Sequence, residues 1–104
     1  MFQVDQMDAP IKFLFRKKWY KGEMFVEDSE FPCFIFVIVR DRELMEEFGD
    51  EISLKTDFET LLPKKDDYPK IKELREAIFS MTKDTTIFLK AKQSWQERCL
   101  KPNC

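Results

Sequence analysis

The side chains able to do chemistry in this sequence are carboxylates, lysines, tyrosines and three cysteines, because histidine is absent. That absence excludes Ser-His-Asp and Cys-His nucleophilic pairs, His-ligated zinc and imidazole acid–base catalysis. The acidic groups cluster at Glu43, Glu46 and Glu47, at Asp50-Glu51 and at Asp66-Asp67. Adjacent residues on a strand point to opposite faces, and neighbours on a helix do not face one another. None of the three adjacent pairs, Glu46-Glu47, Asp50-Glu51 and Asp66-Asp67, therefore makes an acid–base couple. Glu43, Glu46 and Glu47 do share a helix face, where a solvated acidic surface is the ordinary outcome and a bound hard cation the special one. The two glycines, Gly22 and Gly49, stand 27 positions apart, too far to build a phosphate-binding loop. The chain also lacks the Glu-x-Lys triplet of many metal-dependent nucleases. Cys99 and Cys104, five apart, match no common metal knuckle, and Cys33 opens an apolar run as a small core residue. No catalytic residue, metal or cofactor is assigned, and a non-catalytic role is expected.

One segment has the chemistry of a nucleic-acid contact: Arg16, Lys17, Lys18, Trp19, Tyr20 and Lys21. Its cations would neutralise phosphates while Trp19 and Tyr20 stack on unpaired bases. The competing reading is a strand whose edge is guarded by lysines, with Trp19 packed on the core. The charge balance favours the second: 18 basic and 20 acidic residues leave a net charge of −2, whereas nucleic-acid binders usually carry a positive excess. Nucleic acid is thus the less favoured partner. The charge is unevenly spread, with five cations against two anions in residues 1–22, three against twelve in 23–59, and ten against six in 60–104. Basic ends around an acidic middle suit self-pairing or a charged protein partner.

These residues must be positioned by few elements. At 104 residues, 43% apolar and 37% charged, the whole chain reads as one α+β domain. Ile11, Phe13 and Phe15 alternate as in a half-buried strand. Aromatic residues continue it to Tyr20, Lys21-Gly22 supplies a turn, and Glu23 to Glu27 returns as a second strand. Cys33 to Val39 is seven apolar residues in succession, a strand covered on both faces. Asp41 caps a short helix from Arg42 to Phe48, which Gly49 ends in the left-handed conformation. Glu51 to Phe58 alternates with Ile52, Leu54, Thr56 and Phe58 inward, a one-sided strand near an edge. Pro69 opens the principal helix, about 69–82, with Asp66 and Asp67 at its positive end. Ile71, Leu74, Ala77, Ile78 and Met81 form its apolar stripe, and Lys70, Lys72, Glu73, Arg75 and Glu76 its outer face. Thr85 to Lys92 reads as a last strand, and Ser94 to Glu97 as the capping box of a short terminal helix. The expected architecture is a mostly antiparallel sheet of four or five strands, the principal helix packed on one face, and two short helices.

That architecture leaves an apolar face over. Phe34, Phe36 and Ile38 point away from the side that the long helix covers, and Leu14 and Phe25 can join them. Full burial of one such side chain contributes about 1.5–3 kcal/mol, so five left in water would forgo a large part of a domain's net stability of roughly 5–15 kcal/mol. A small protein-interaction module is therefore expected, either a symmetric homodimer or a complex with a protein partner. A small-ligand carrier with an aromatic pocket between sheet and helix is a further alternative, suggested by the eleven phenylalanines. The sequence carries no apolar run long enough to span a bilayer and no recognisable leader, and its odd number of cysteines suits a reducing, cytoplasmic setting.

Overall fold

The computed structural model describes residues 8–27 and 32–99. Its elements are β1 (Asp8–Phe15), β2 (Lys18–Glu27), β3 (Cys33–Val39), α1 (Arg42–Phe48), β4 (Glu51–Thr56), α2 (Pro69–Thr82) and α3 (Thr86–Cys99). The strands lie in the order β1-β2-β3-β4, each antiparallel to the next. The result is an α+β fold in which the helices gather on one face of a four-stranded meander.

Alternation decides which face. Ile11, Phe13 and Phe15 of β1, Met24 and Val26 of β2, Cys33 to Val39 at every second position of β3, and Ile52, Leu54 and Thr56 of β4 all point inward and are buried. α2 lies across this face against β1 and β4, and α3 reaches β2. Asp41 caps α1 as expected, its carboxylate accepting from the Leu44 N–H at 3.1 Å. Gly49 ends that helix at φ 88° and ψ 173°, a positive φ with an extended ψ in place of the expected left-handed turn. Phe58 is buried as expected but lies beyond the end of β4, at φ 75°. The Thr56 hydroxyl holds it there, accepting from the Phe58 N–H at 3.0 Å and donating to the Thr60 carbonyl at 2.6 Å.

The first hairpin differs from expectation. Phe15 pairs with Lys18, so the turn is Arg16-Lys17, with φ 52° and 66°, the two-residue form whose twist suits a hairpin. Gly22 is not in the turn. It lies inside β2, where a Cβ would sit 2.9 Å from both the Ile38 carbonyl oxygen and Val37 Cγ1. Its lack of a side chain lets β2 approach β3, which is the actual reason for a glycine there. The corrected turn shifts the phase of β2, so that Tyr20 faces inward and Trp19 outward.

The C-terminal third also departs from the reading. Residues 85–92 are not a strand, and α3 is not short: it runs 14 residues and absorbs the proposed capping box in its interior. Thr85 is the cap instead, its hydroxyl accepting from the Phe88 N–H at 3.3 Å. Phe88 and Ala91 are buried and Ile87 and Trp95 half-buried, a spacing of one, three and four residues that only a helix aligns. Phe88 packs on Phe58 and, edge-on, on Phe79, with centroids 5.8 and 6.0 Å apart. Of the two helices expected to be short, only α1 is.

α2 has the expected bounds but a rotated stripe. Its buried positions are Ile71, Leu74, Arg75, Ile78, Phe79 and Thr82, an i, i+3, i+4, i+7, i+8, i+11 series. Arg75, expected on the outer face, is 4% exposed, and Met81, expected in the stripe, is exposed. The Arg75 guanidinium donates to the Ser53 carbonyl of β4 at 2.8 Å, to Asp66 at 3.2 Å and to Asp67. Asp66 and Asp67 are thus drawn to Arg75, one turn or more into the helix, and not to its first N–H groups. This cluster fastens the 64–68 loop and α2 to the sheet.

Candidate functional site

The residues with no helix over them lie on the outer face of the sheet. Register arranges them in rows across the strands. Leu14 pairs with Trp19 nearest the hairpin end. Lys12 and Lys21 make the next row, followed by Pro10, Glu23, Ile38 and Glu51, then Asp8, Phe25, Phe36 and Ser53, and finally Glu27, Phe34 and Lys55. All five residues singled out as a partner surface, Leu14, Phe25, Phe34, Phe36 and Ile38, fall on this one face. Leu14 is 47% and Phe25 38% exposed; Phe34, Phe36 and Ile38 are half-buried, so β3 is dry on its inner side only. The Lys64 ammonium hangs 5.7 Å from the Phe34 ring centre and borders the apolar area at that end.

Trp19 belongs to the same face, and the sequence reading missed it. At 58% exposed it is the most open large apolar side chain of the described residues. Its position follows from the two-residue turn: once Phe15 pairs with Lys18, Trp19 must stand opposite Leu14 on the outward side. The misplaced turn at Lys21-Gly22 hid that signal.

The basic–aromatic segment does not act as one patch. Arg16, at the hairpin tip, makes a bidentate ion pair with Glu47 of α1, both contacts 2.9 Å, and lies 4.6 Å from the Phe15 ring centre. The hydrogen bond between them raises the Arg16 pKa and holds the Glu47 carboxyl below its ordinary range. Lys18 stands 3.9 Å from Asp41 and 5.2 Å from the Tyr20 ring centre. Tyr20 is buried and stacked on Phe13, centroids 5.7 Å apart, so its ring is part of the core. Lys17 is exposed at the turn, and Lys21 joins Trp19 on the outer face.

Four of the clustered carboxylates, Glu46, Glu47, Asp66 and Asp67, face a cation of the same chain. Glu47 holds Arg16, Glu46 lies 3.8 Å from Arg42 one turn away, and Asp66 and Asp67 hold Arg75. Among the described residues no three cysteine or carboxylate side chains gather as a metal site would require. Among the described residues, two surface hollows lie near these side chains. One, of about 210 Å³, lies between the 61–67 segment and α2, lined by Leu61, Pro63, Asp67, Lys72 and Arg75 among others. The other, of about 250 Å³, lies on the sheet between Lys21, Gly22, Glu23, Ile38 and Arg40. No described helix is long and apolar enough to cross a membrane. No protein-family model matches the chain, no curated protein is significantly similar to it in sequence, and no solved structure matches it significantly.

Proposed function

We propose that this chain is a non-catalytic protein-interaction module that docks a protein through the outer face of its sheet. The observation that carries the reading is the apolar area there: Leu14, Trp19 and Phe25 exposed, and Phe34, Phe36 and Ile38 half-covered. Fully burying a side chain of this kind contributes about 1.5–3 kcal/mol. Six that are already partly covered would supply roughly half of that each, several kcal/mol from this side of a complex. Association itself costs about 4–15 kcal/mol. A comparable contribution from the partner's side brings the total to about 9–18 kcal/mol, which is enough to offset that cost in a moderate complex, and the charged rows beside the apolar area select the partner. The odd cysteine count, with Cys33 inside the core, supports a reducing, cytoplasmic setting.

Site-specific photocrosslinking tests this reading. A photoreactive amino acid at Phe36 is expected to give one discrete protein adduct, which a Phe25→Lys substitution abolishes. Phe25 is a surface position, so the substitution should cost folding only about 1 kcal/mol. The same photoreactive residue at Leu89, exposed on α3, is expected to give none. No adduct from Phe36, or an equal adduct from Leu89, would overturn the docking role.

A further inference from the structure

We infer that the partner is a second copy of this chain, paired outer face to outer face with β2 lying antiparallel over β2 about a two-fold axis that crosses at Gly22. The inference rests on the docking reading above and names the occupant of that surface. It starts from the order of side chains along β2. Counting from Gly22, Trp19 lies three positions before and Phe25 three after, Lys21 one before and Glu23 one after. All four offsets are odd, so all four side chains share the outer face. A two-fold axis through Gly22 that lies in the interface, across the strands, exchanges each residue with its mirror position. Lys21 of one copy then meets Glu23 of the other, and Trp19 meets Phe25. A two-fold interface must be complementary to itself, and an aromatic, basic, acidic, aromatic series meets that requirement.

The neighbouring strand extends the match. On β3 the same operation sets Arg40 over Ile38, which is flanked by Glu23 and Glu51 in its own row. Two cations, Lys21 and Arg40, thereby face two anions, Glu23 and Glu51. All four are exposed, and none forms an ion pair among the described residues. The hollow of about 250 Å³ lined by Lys21, Gly22, Glu23, Ile38 and Arg40 lies at the axis and gives the long charged side chains room. Face-to-face sheets sit about 10 Å apart with strands crossing at about 30°. A residue about 10 Å from the axis is then displaced from its mate by about 5 Å, within the reach of a tryptophan ring. Other registers fit less well. An axis at Phe25 sets Glu27 over Glu23, and an axis along the strands sets Lys21 over Arg40, both like-charged.

Charge reversal tests the pairing by sedimentation of the full chain at micromolar concentrations. The wild type is expected to be dimeric and to dissociate as salt rises. Lys21→Glu alone, or Glu23→Lys alone, sets like charges across the axis and is expected to weaken dimerisation about tenfold or more. In a one-to-one mixture of the two variants, a strand carrying two carboxylates at these positions faces a strand carrying two ammonium groups. That mixture is expected to associate at least as well as the wild type. A monomeric wild type, or a mixture no better associated than its components, would overturn the pairing. If the Phe36 adduct then has the mass of some other protein, docking stands and self-pairing falls; if no adduct forms, both fall.

Discussion

Replacing Phe88 by alanine is expected to lower the folding free energy by about 3–5 kcal/mol, the cost of a large aromatic cavity in a core that cannot collapse around it. Phe88 is 1% exposed. It is the point where α3 meets both Phe79 of α2 and Phe58, a residue held at φ 75°. Trp95 stacks on the other side of Phe58, centroids 6.2 Å apart. Losing Phe88 therefore loosens three segments at once. A pair of neighbouring substitutions separates the helix from the strand that the sequence reading placed there. In a strand, Leu89 and Ala91 share a face. In α3, Leu89 is 50% exposed while Ala91 is buried. Leu89→Lys is expected to change stability by no more than about 0.5 kcal/mol, and Ala91→Lys to unfold the C-terminal third. Urea denaturation of the three variants measures this, and equal effects at 89 and 91 would contradict the helical packing.

Arg75→Ala is expected to destabilise the fold by about 3 kcal/mol, the lower end of the range for removing one partner of a buried ion pair. The lower end applies because Asp66 and Asp67 keep 70% and 20% of their side-chain surface and water can replace part of what they lose. Combining Arg75→Met with Asp67→Asn should recover much of the loss, because no uncompensated charge then remains at that carboxylate. The cluster also has a pH signature. Both carboxyls are held below their ordinary range: Asp66 chiefly by its hydrogen bond from Arg75, Asp67 first by the Lys64 N–H and then by Arg75. A depressed folded pKa means that the stabilisation is complete above the unfolded value, about 3.9, and disappears as the pH falls through the folded value. Wild-type stability should therefore fall on acidification below about pH 4. Arg75→Met should fall less steeply, its remaining slope coming from the Lys64 contact and from other stabilised carboxylates such as Asp57. Denaturation midpoints at neutral and acid pH decide it; identical slopes would show that the cluster does not carry the effect.

Period-two alternation marks β1 and β4 in the sequence, and the unbroken apolar run from Cys33 to Val39 marks β3, although its outer side is only half-buried. The apolar period of α2, bounded by Pro69, marked that helix to the residue. Three features were hidden, each for a physical reason. The hairpin turn is built from Arg16 and Lys17, two non-glycine residues at positive φ whose turn suits the hairpin twist and whose Arg16 is anchored by Glu47, while Gly22 offers a cheaper turn five residues on. The β-branched run Thr85-Thr86-Ile87 drew the reading toward a strand, although Ile87, Phe88, Ala91 and Trp95 already carried the helical spacing. Arg75 completes the buried stripe of α2 as a cation, and a pattern that sorts residues by polarity assigns it to solvent. The outer-face residues were legible because their parity on β1 and β3 was, and Trp19 was lost with the turn.

Self-pairing through the outer face is tested most directly at Trp19, which nothing in the single chain covers among the described residues. In a Trp95→Phe chain, Trp19 is the sole tryptophan. As protein concentration rises through the micromolar range, its emission should move to shorter wavelength and its quenching by acrylamide should fall, with Lys21→Glu suppressing both changes. Emission that stays red and fully quenchable at every concentration would mean that a second copy never covers the face.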